Sequence, residues 1–166
     1  KSKQVIHIST VDVYKTPVNV DEDSKIELDG LHPYGKNRFY LEEFIRDNFS
    51  TLTIRLPALF GKGLKKNFVY DILNDNCLEL TNKDSKFQLY YIKHLWKDIT
   101  WALSKKISLL NITSDSMTAQ EIAEVFGIYF NYTDAPVVSY DVKSLYKRYS
   151  KNNIIKDLKE YETIHL

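Results

Sequence analysis

The spacing of apolar positions changes several times along the chain, and each change marks an expected element. Gln4-Val5-Ile6-His7-Ile8 is a short β-branched run with apolar side chains on both faces, which suits a buried parallel strand. Residues 15 to 33 form a loop rich in Asp, Pro, Gly and Ser, and Pro33 closes it where the first turn of a helix accepts proline. From Tyr34 to about Asp47, the apolar residues Tyr34, Tyr40, Leu41, Phe44 and Ile45 recur at helical spacing, with Glu42, Glu43, Arg46 and Asp47 opposite. Thr51-Leu52-Thr53-Ile54-Arg55-Leu56 reads as a second buried strand that stops at Pro57. The order strand, long loop, helix, strand is how parallel sheets are wired.

The βα rhythm persists further on. A loop at Gly61-Lys62-Gly63 leads to a short helix over Asn67 to Leu73, and Phe87 to Tyr91 is strand-like. A helix over about His94 to Ser104 places Leu95, Ile99, Ala102 and Leu103 on one face. Leu109 to Ile112 is a strand, and Thr118-Ala119-Gln120-Glu121 has the spacing of a capping box for a helix carrying Ile122, Val125 and Phe126. The stretch from Val137 to Tyr149 is ambiguous, and Ile154 to about Thr163 is expected to form a last helix.

Composition narrows the classes of function. The 166 residues are 43% hydrophobic and 27% charged, enough for one compact domain or two small lobes with a core. A net charge of +1 gives no field that argues for nucleic acid or an anionic membrane as partner. The run Lys143, Lys147 and Arg148 with Tyr146 and Tyr149 is a charged surface edge on this reading. Cys77, the single cysteine, cannot close an intrachain disulfide, and no Cys/His cluster has zinc-ligand spacing. No apolar run has the length of a membrane span, so a cytoplasmic location is expected. The first residue is Lys1 and the only methionine is Met117, from which a processed or truncated chain is expected.

Two segments carry a family resemblance. Val5 to Tyr14, followed by Pro33-Tyr34-Gly35-Lys36-Asn37-Arg38, resembles the active-site strand and helix of the extended short-chain dehydrogenases/reductases, the NAD(P)-dependent epimerase/dehydratase group acting on nucleotide sugars. In that family a hydroxyl residue ends the strand and a Tyr-x-x-x-Lys pair lies on the next helix. Carried over by position, Thr10 takes the hydroxyl's place, Tyr34 that of the catalytic tyrosine and Arg38 that of the lysine. Arg55 to Gly61 is similar to the family's strand and loop beside nicotinamide and substrate, with Ala58 where an asparagine is frequent; Phe87 to Asp98 is similar to its later strand-to-helix segment, with Gln88 near a position often held by a diphosphate-binding arginine. Leu110 to Ile112 and Thr118 to Phe126 resemble the next strand and helix. The family's Gly-x-x-Gly-x-x-Gly turn is missing: among 5 glycines, Gly61-x-Gly63 comes nearest.

The resemblance implies an α/β fold, with the C-terminal half of a Rossmann-like parallel sheet over residues 1–62 and a small α/β substrate-binding lobe over 63–166, the boundaries being approximate and open to interleaving. It implies NAD or NADP in the full-length protein, with none bound to this chain alone. Tyr34, Arg38 and Pro57 would lie at the cofactor, and Thr10, Asp12, Ala58, Lys65, Lys66 and Gln88 at the nucleotide sugar.

Positions i and i+4 share a helix face, so Arg38 stands one turn beyond Tyr34. A phenol titrates near pH ~10 in water, and a neighbouring positive charge favours its use as acid or base near neutrality. Thr10 would hydrogen-bond the substrate oxygen whose proton Tyr34 moves. Asp12 falls where dehydratases carry a glutamate, but Val11 replaces their aspartate, which leaves epimerisation or keto reduction. The competing reading is a non-catalytic fragment that binds a sugar nucleotide or a partner. Either way, the sheet edge at Val5 to Ile8 and the apolar side of the Tyr34 helix are expected to be exposed, giving a homodimer or other self-association.

Overall fold

The computed structural model describes residues 4–146 and 148–165; Lys147, and with it the middle of the basic run noted above, lies outside the described residues. The chain folds as α/β with parallel strands and divides into two interleaved compact units, one comprising residues 1–57, 94–113 and 142–147, the other 58–93, 114–141 and 148–166.

The first unit is built on three parallel strands, β1 (Val5–Thr10), β2 (Thr51–Leu56) and β6 (Leu109–Asn111), in the order β1-β2-β6. Val5 pairs with Thr51 and Thr10 with Leu56, while Thr53 to Arg55 pair with Leu109 to Asn111. A 3-10 turn, Val11–Val13, follows β1, and helix α1 (Pro33–Asn48) makes the crossover to β2. Pro33 sits in its first turn and His32 caps it, Nδ1 accepting from the Gly35 amide at 3.2 Å. β2 is central, and Leu52 and Ile54 are fully buried. β1 is the edge, with Ile6 and Ile8 38% and 37% exposed.

One carboxylate of α1, that of Glu42, lies toward the sheet, while most of the large apolar residues of the helix face solvent. The helix residues that are buried are Gly35 and Glu42, whereas Tyr34, Tyr40, Leu41 and Phe44 are exposed. Glu42 is turned inward by Arg55, which a strand buried on both faces cannot leave unpaired. Helix α3 (Leu95–Ser104) belongs to the same unit and buries Asp98, Ile99 and Ala102.

The second unit holds β3 (Ala58–Phe60) parallel to β5 (Leu89–Tyr91), β4 (Lys86–Phe87) antiparallel to β7 (Met117–Thr118), and helices α2 (Asn67–Asn74), α4 (Ala119–Val125) and α5 (Lys151–His165). Its core gathers Phe60, Phe68, Ile72, Tyr91, Ile122 and Leu158 with their neighbours. The capping box at Thr118 and Glu121 forms in full. Phe87 to Tyr91 is not one strand. Gln88 turns inward, its amide donating to the Ser114 carbonyl at 2.7 Å, and the Leu89 amide donates to Ser114 Oγ at 3.0 Å. The run is thus split between two sheets. Within the ambiguous stretch, Ser139 bridges Lys86 and Tyr149 bridges Ser114. No helix among the described residues is long and apolar enough to cross a membrane.

Candidate functional site

The end of β1 and the start of α1 are brought together by the absence of a side chain. A Cβ on Gly35 would stand 2.1 Å from the Asp12 carbonyl oxygen, so only glycine lets the first turn of α1 lie against the Val11–Val13 turn. This apposition sets the turn that carries Asp12 against the helix turn that carries Tyr34 and Gly35. Thr10 Oγ1 accepts from the Asp12 amide and donates to Asp12 Oδ2, both at 3.1 Å, which fixes the hydroxyl at the strand end. The Arg38 guanidinium lies over the Tyr34 ring, 5.3 Å from its centroid, and the His32 ring stacks with that of Tyr34, the centroids 6.2 Å apart at 7° between planes. Tyr34 remains 50% exposed, open to a ligand.

The remaining residues expected at the site divide between the units. Pro57 is buried at the end of β2 in the first unit. Ala58, Lys65, Lys66 and Gln88 belong to the second. Lys65 and Lys66 are exposed ahead of α2, and Lys65 borders a cleft of about 210 Å³ with Tyr70, Leu73 and Tyr161. Gln88 is 3% exposed and its amide is engaged by Ser114, so it serves the turn between β4 and β5. Trp96 is 70% exposed and Asp98 is fully buried.

Beneath α1 lies a polar network that the sequence pattern did not single out. Arg55 Nε donates to both Glu42 carboxylate oxygens at 3.1 Å and Nη2 donates to Oε2 at 2.6 Å, while Nη1 donates to the Tyr14 hydroxyl at 2.8 Å. Tyr14 in turn donates to the Asp21 carbonyl at 2.6 Å and accepts from Asn111 Nδ2 at 2.9 Å. Burial opposes the Arg55 charge, but the hydrogen bonds and charge of Glu42, helped by Tyr14, outweigh it and raise the guanidinium pKa above its ordinary value. Burial raises the Tyr14 phenol, with Arg55 and Asn111 working against that rise. The network ties the long loop, α1, β2 and β6 together and so holds the Tyr34 turn in place. Its signal in the sequence was Arg55 itself, a charge inside an otherwise apolar strand.

Two of the glycines are closed to a ligand by the chain's own packing. The Gly35 position is filled by the Asp12 carbonyl, and a Cβ on Gly61 would stand 2.4 Å from Ile92 Cγ2, so both glycines are taken up by packing within the chain. No group of His, Cys, Asp and Glu suited to a metal ion occurs among the described residues.

The architecture has close counterparts among solved structures. The dTDP-4-dehydrorhamnose reductase of Yersinia enterocolitica superposes with a TM-score of 0.70 at 19% identity, over 97% of this chain and 66% of its own. The UDP-N-acetylglucosamine 4-epimerase of Methanobrevibacter ruminantium, in complex with UDP-N-acetylmuramic acid, gives 0.71 at 16% identity over 97% and 62%. The UDP-N-acetylglucosamine 4-epimerase of Bacillus cereus gives 0.68 at 20% identity over 96% and 62%. The fold is theirs. The chain spans less than two thirds of the length of each of these three structures. No protein-family model matches the chain, and no curated protein matches it.

Proposed function

We propose that this chain carries the proton-transfer residues and the substrate lobe of a nucleotide-sugar epimerase or keto-reductase whose dinucleotide is held by a further segment of the protein. The observation that carries the reading is the Gly35–Asp12 contact, which sets the Thr10 turn against the Tyr34 turn inside a β1–α1–β2 unit whose fold nucleotide-sugar enzymes share. In the full protein NAD(P) would supply the redox chemistry. Thr10 orients the substrate hydroxyl, the Tyr34 phenol takes or returns its proton, and Arg38 holds a positive charge over the phenol ring. Arginine stays protonated and presents a planar fork, so its hold on a ribose differs from that of a lysine. Val11, 2% exposed and apolar, supplies no acid beside Asp12, which favours epimerisation or keto reduction over dehydration.

In the complete protein, Tyr34→Phe is expected to lower turnover of UDP- or dTDP-sugars by roughly 10²–10⁴-fold while sparing their binding. Full turnover in that variant would remove Tyr34 from the mechanism. A second reading, a fragment that binds a sugar nucleotide without catalysis, is favoured by Arg38 lying over the ring of Tyr34 and by Gln88 being engaged with Ser114. Assaying the complete protein with NAD(P) for both binding and turnover of UDP- or dTDP-sugars separates the two, since the second reading allows a nucleotide-sugar binding signal but no turnover.

A further inference from the structure

Two side chains on the sheet face beneath α1 are buried without a partner. His7 and Ser9, 7% and 6% exposed, stand two residues apart on β1 and so share a face. Their register partners are Thr53 and Arg55, which puts all four under α1. Neither imidazole nitrogen of His7 nor the Ser9 hydroxyl meets a hydrogen-bond partner, although Arg55 next to them is engaged by Glu42 and Tyr14. Buried polar groups are ordinarily paired, so this is an unusual place for an imidazole.

The charges that face His7 come from α1. Glu42 is one, and its carboxylate is committed to Arg55; Arg38 is the other, one turn earlier on the helix. β2 contributes the neutral Thr53 beside His7 and, one pair further, Arg55; β1 contributes no charge of its own. A proton on the imidazole therefore adds a cation to a buried site that has a second cation above it and whose carboxylate is already neutralised. Burial is the larger influence lowering the imidazole's proton affinity; Glu42 works against it and Arg38 adds to it.

We propose that His7 is an acid-sensitive latch between β1 and α1: uncharged, it lets the Tyr34–Arg38 turn rest on the strand, and protonated, it drives that turn off and disables the site. The structural half stands by itself, while the regulatory half rests on Tyr34 and Arg38 being the functional pair. The sign follows from linkage. A group that binds protons more weakly when packed is protonated preferentially in the opened form, so opening sets in as pH falls below the ordinary imidazole value of about 6.5 and grows until the packed imidazole itself titrates.

The test is amide hydrogen exchange of this chain at pH 7.5 and 5.5, corrected for intrinsic rates, in wild type, His7→Gln and His7→Phe. Wild type is expected to lose protection over residues 5–10 and 33–42 at the lower pH, and the variants to keep it. Equal wild-type protection at both pH values, or the same acid loss in a folded variant, overturns the latch. Should neither variant fold, NMR titration of the wild-type imidazole decides: a His7 midpoint at or above the ordinary histidine value overturns the proposal, and a depressed midpoint coupled to shifts in α1 supports it. Turnover of the complete protein keeps the two readings apart. If acid opens α1 and turnover is indifferent to Tyr34→Phe, the latch stands and the catalytic reading fails; if turnover depends on Tyr34 and α1 stays closed in acid, the latch alone fails.

Discussion

Arg55 shows how one residue decides what its neighbours do. It is 3% exposed, and a guanidinium there costs several kcal/mol to desolvate unless its donors are met. Glu42 and Tyr14 meet them, and Asn111 and the Asp21 carbonyl complete the set through Tyr14. Removing one partner leaves the other charge buried, so Glu42→Gln is expected to destabilise the first unit by about 3–5 kcal/mol, read as a lower urea midpoint. A change below about 1 kcal/mol would mean that water reaches the pair. Tyr14 is held from the far side of the loop, so the cost extends to residues 14 to 22. Little of this was legible beforehand. Glu42 sat among Glu43, Arg46 and Asp47 in a stripe of charge, and nothing in that stripe distinguishes the member that a strand residue thirteen positions away will claim.

At the scale of elements, Gly35 sets local propensity against packing. Alanine there would raise helix propensity by about 1 kcal/mol, but its Cβ would stand 2.1 Å from a backbone oxygen that cannot swing aside as a side chain can. Gly35→Ala is therefore expected to lower stability by about 1 kcal/mol or more despite the better helix former, and to raise exchange over Val11–Val13; a stabilised variant would show that the contact is loose. The elements themselves were largely readable. β1 and β2 are β-branched runs, Pro33 marks the start of α1, and Thr118 and Glu121 announce α4 by reciprocal capping. What could not be read depends on distant partners. Phe87 to Tyr91 alternates like one strand, yet Ser114 captures Gln88 and Leu89 and divides it; residues 137–149 carry no period, because their strand-like bridges are single. For the candidate site, the order of strand, turn and Pro33-started helix was readable, and Gly35 packing on the Asp12 carbonyl depends on backbone geometry that the order does not carry; Gln88 was read from position alone and is engaged inside the protein.

For the molecule as a whole, α1 presents Tyr40, Leu41 and Phe44 to solvent, 51%, 41% and 60% exposed. A second copy of the chain is the occupant we propose for this face. Arg46 pairs with Glu43 and Asp47 along its border, so two antiparallel copies of α1 would set opposite charges against each other around an apolar seam. Sedimentation is expected to show a dimer that Phe44→Asp converts to monomer, and a monomeric wild type at micromolar concentration would remove the proposal. The orientation of α1 also bears on thermodynamics. Carboxylate, guanidinium, imidazole and hydroxyl groups line the seam between α1 and the strands below it, and hydrating such groups lowers the heat capacity released on unfolding, whereas hydrating hydrocarbon raises it. The seam that positions the tyrosine thus contributes little to the curvature of stability with temperature, and cooling should weaken it less than the aromatic core of the other unit.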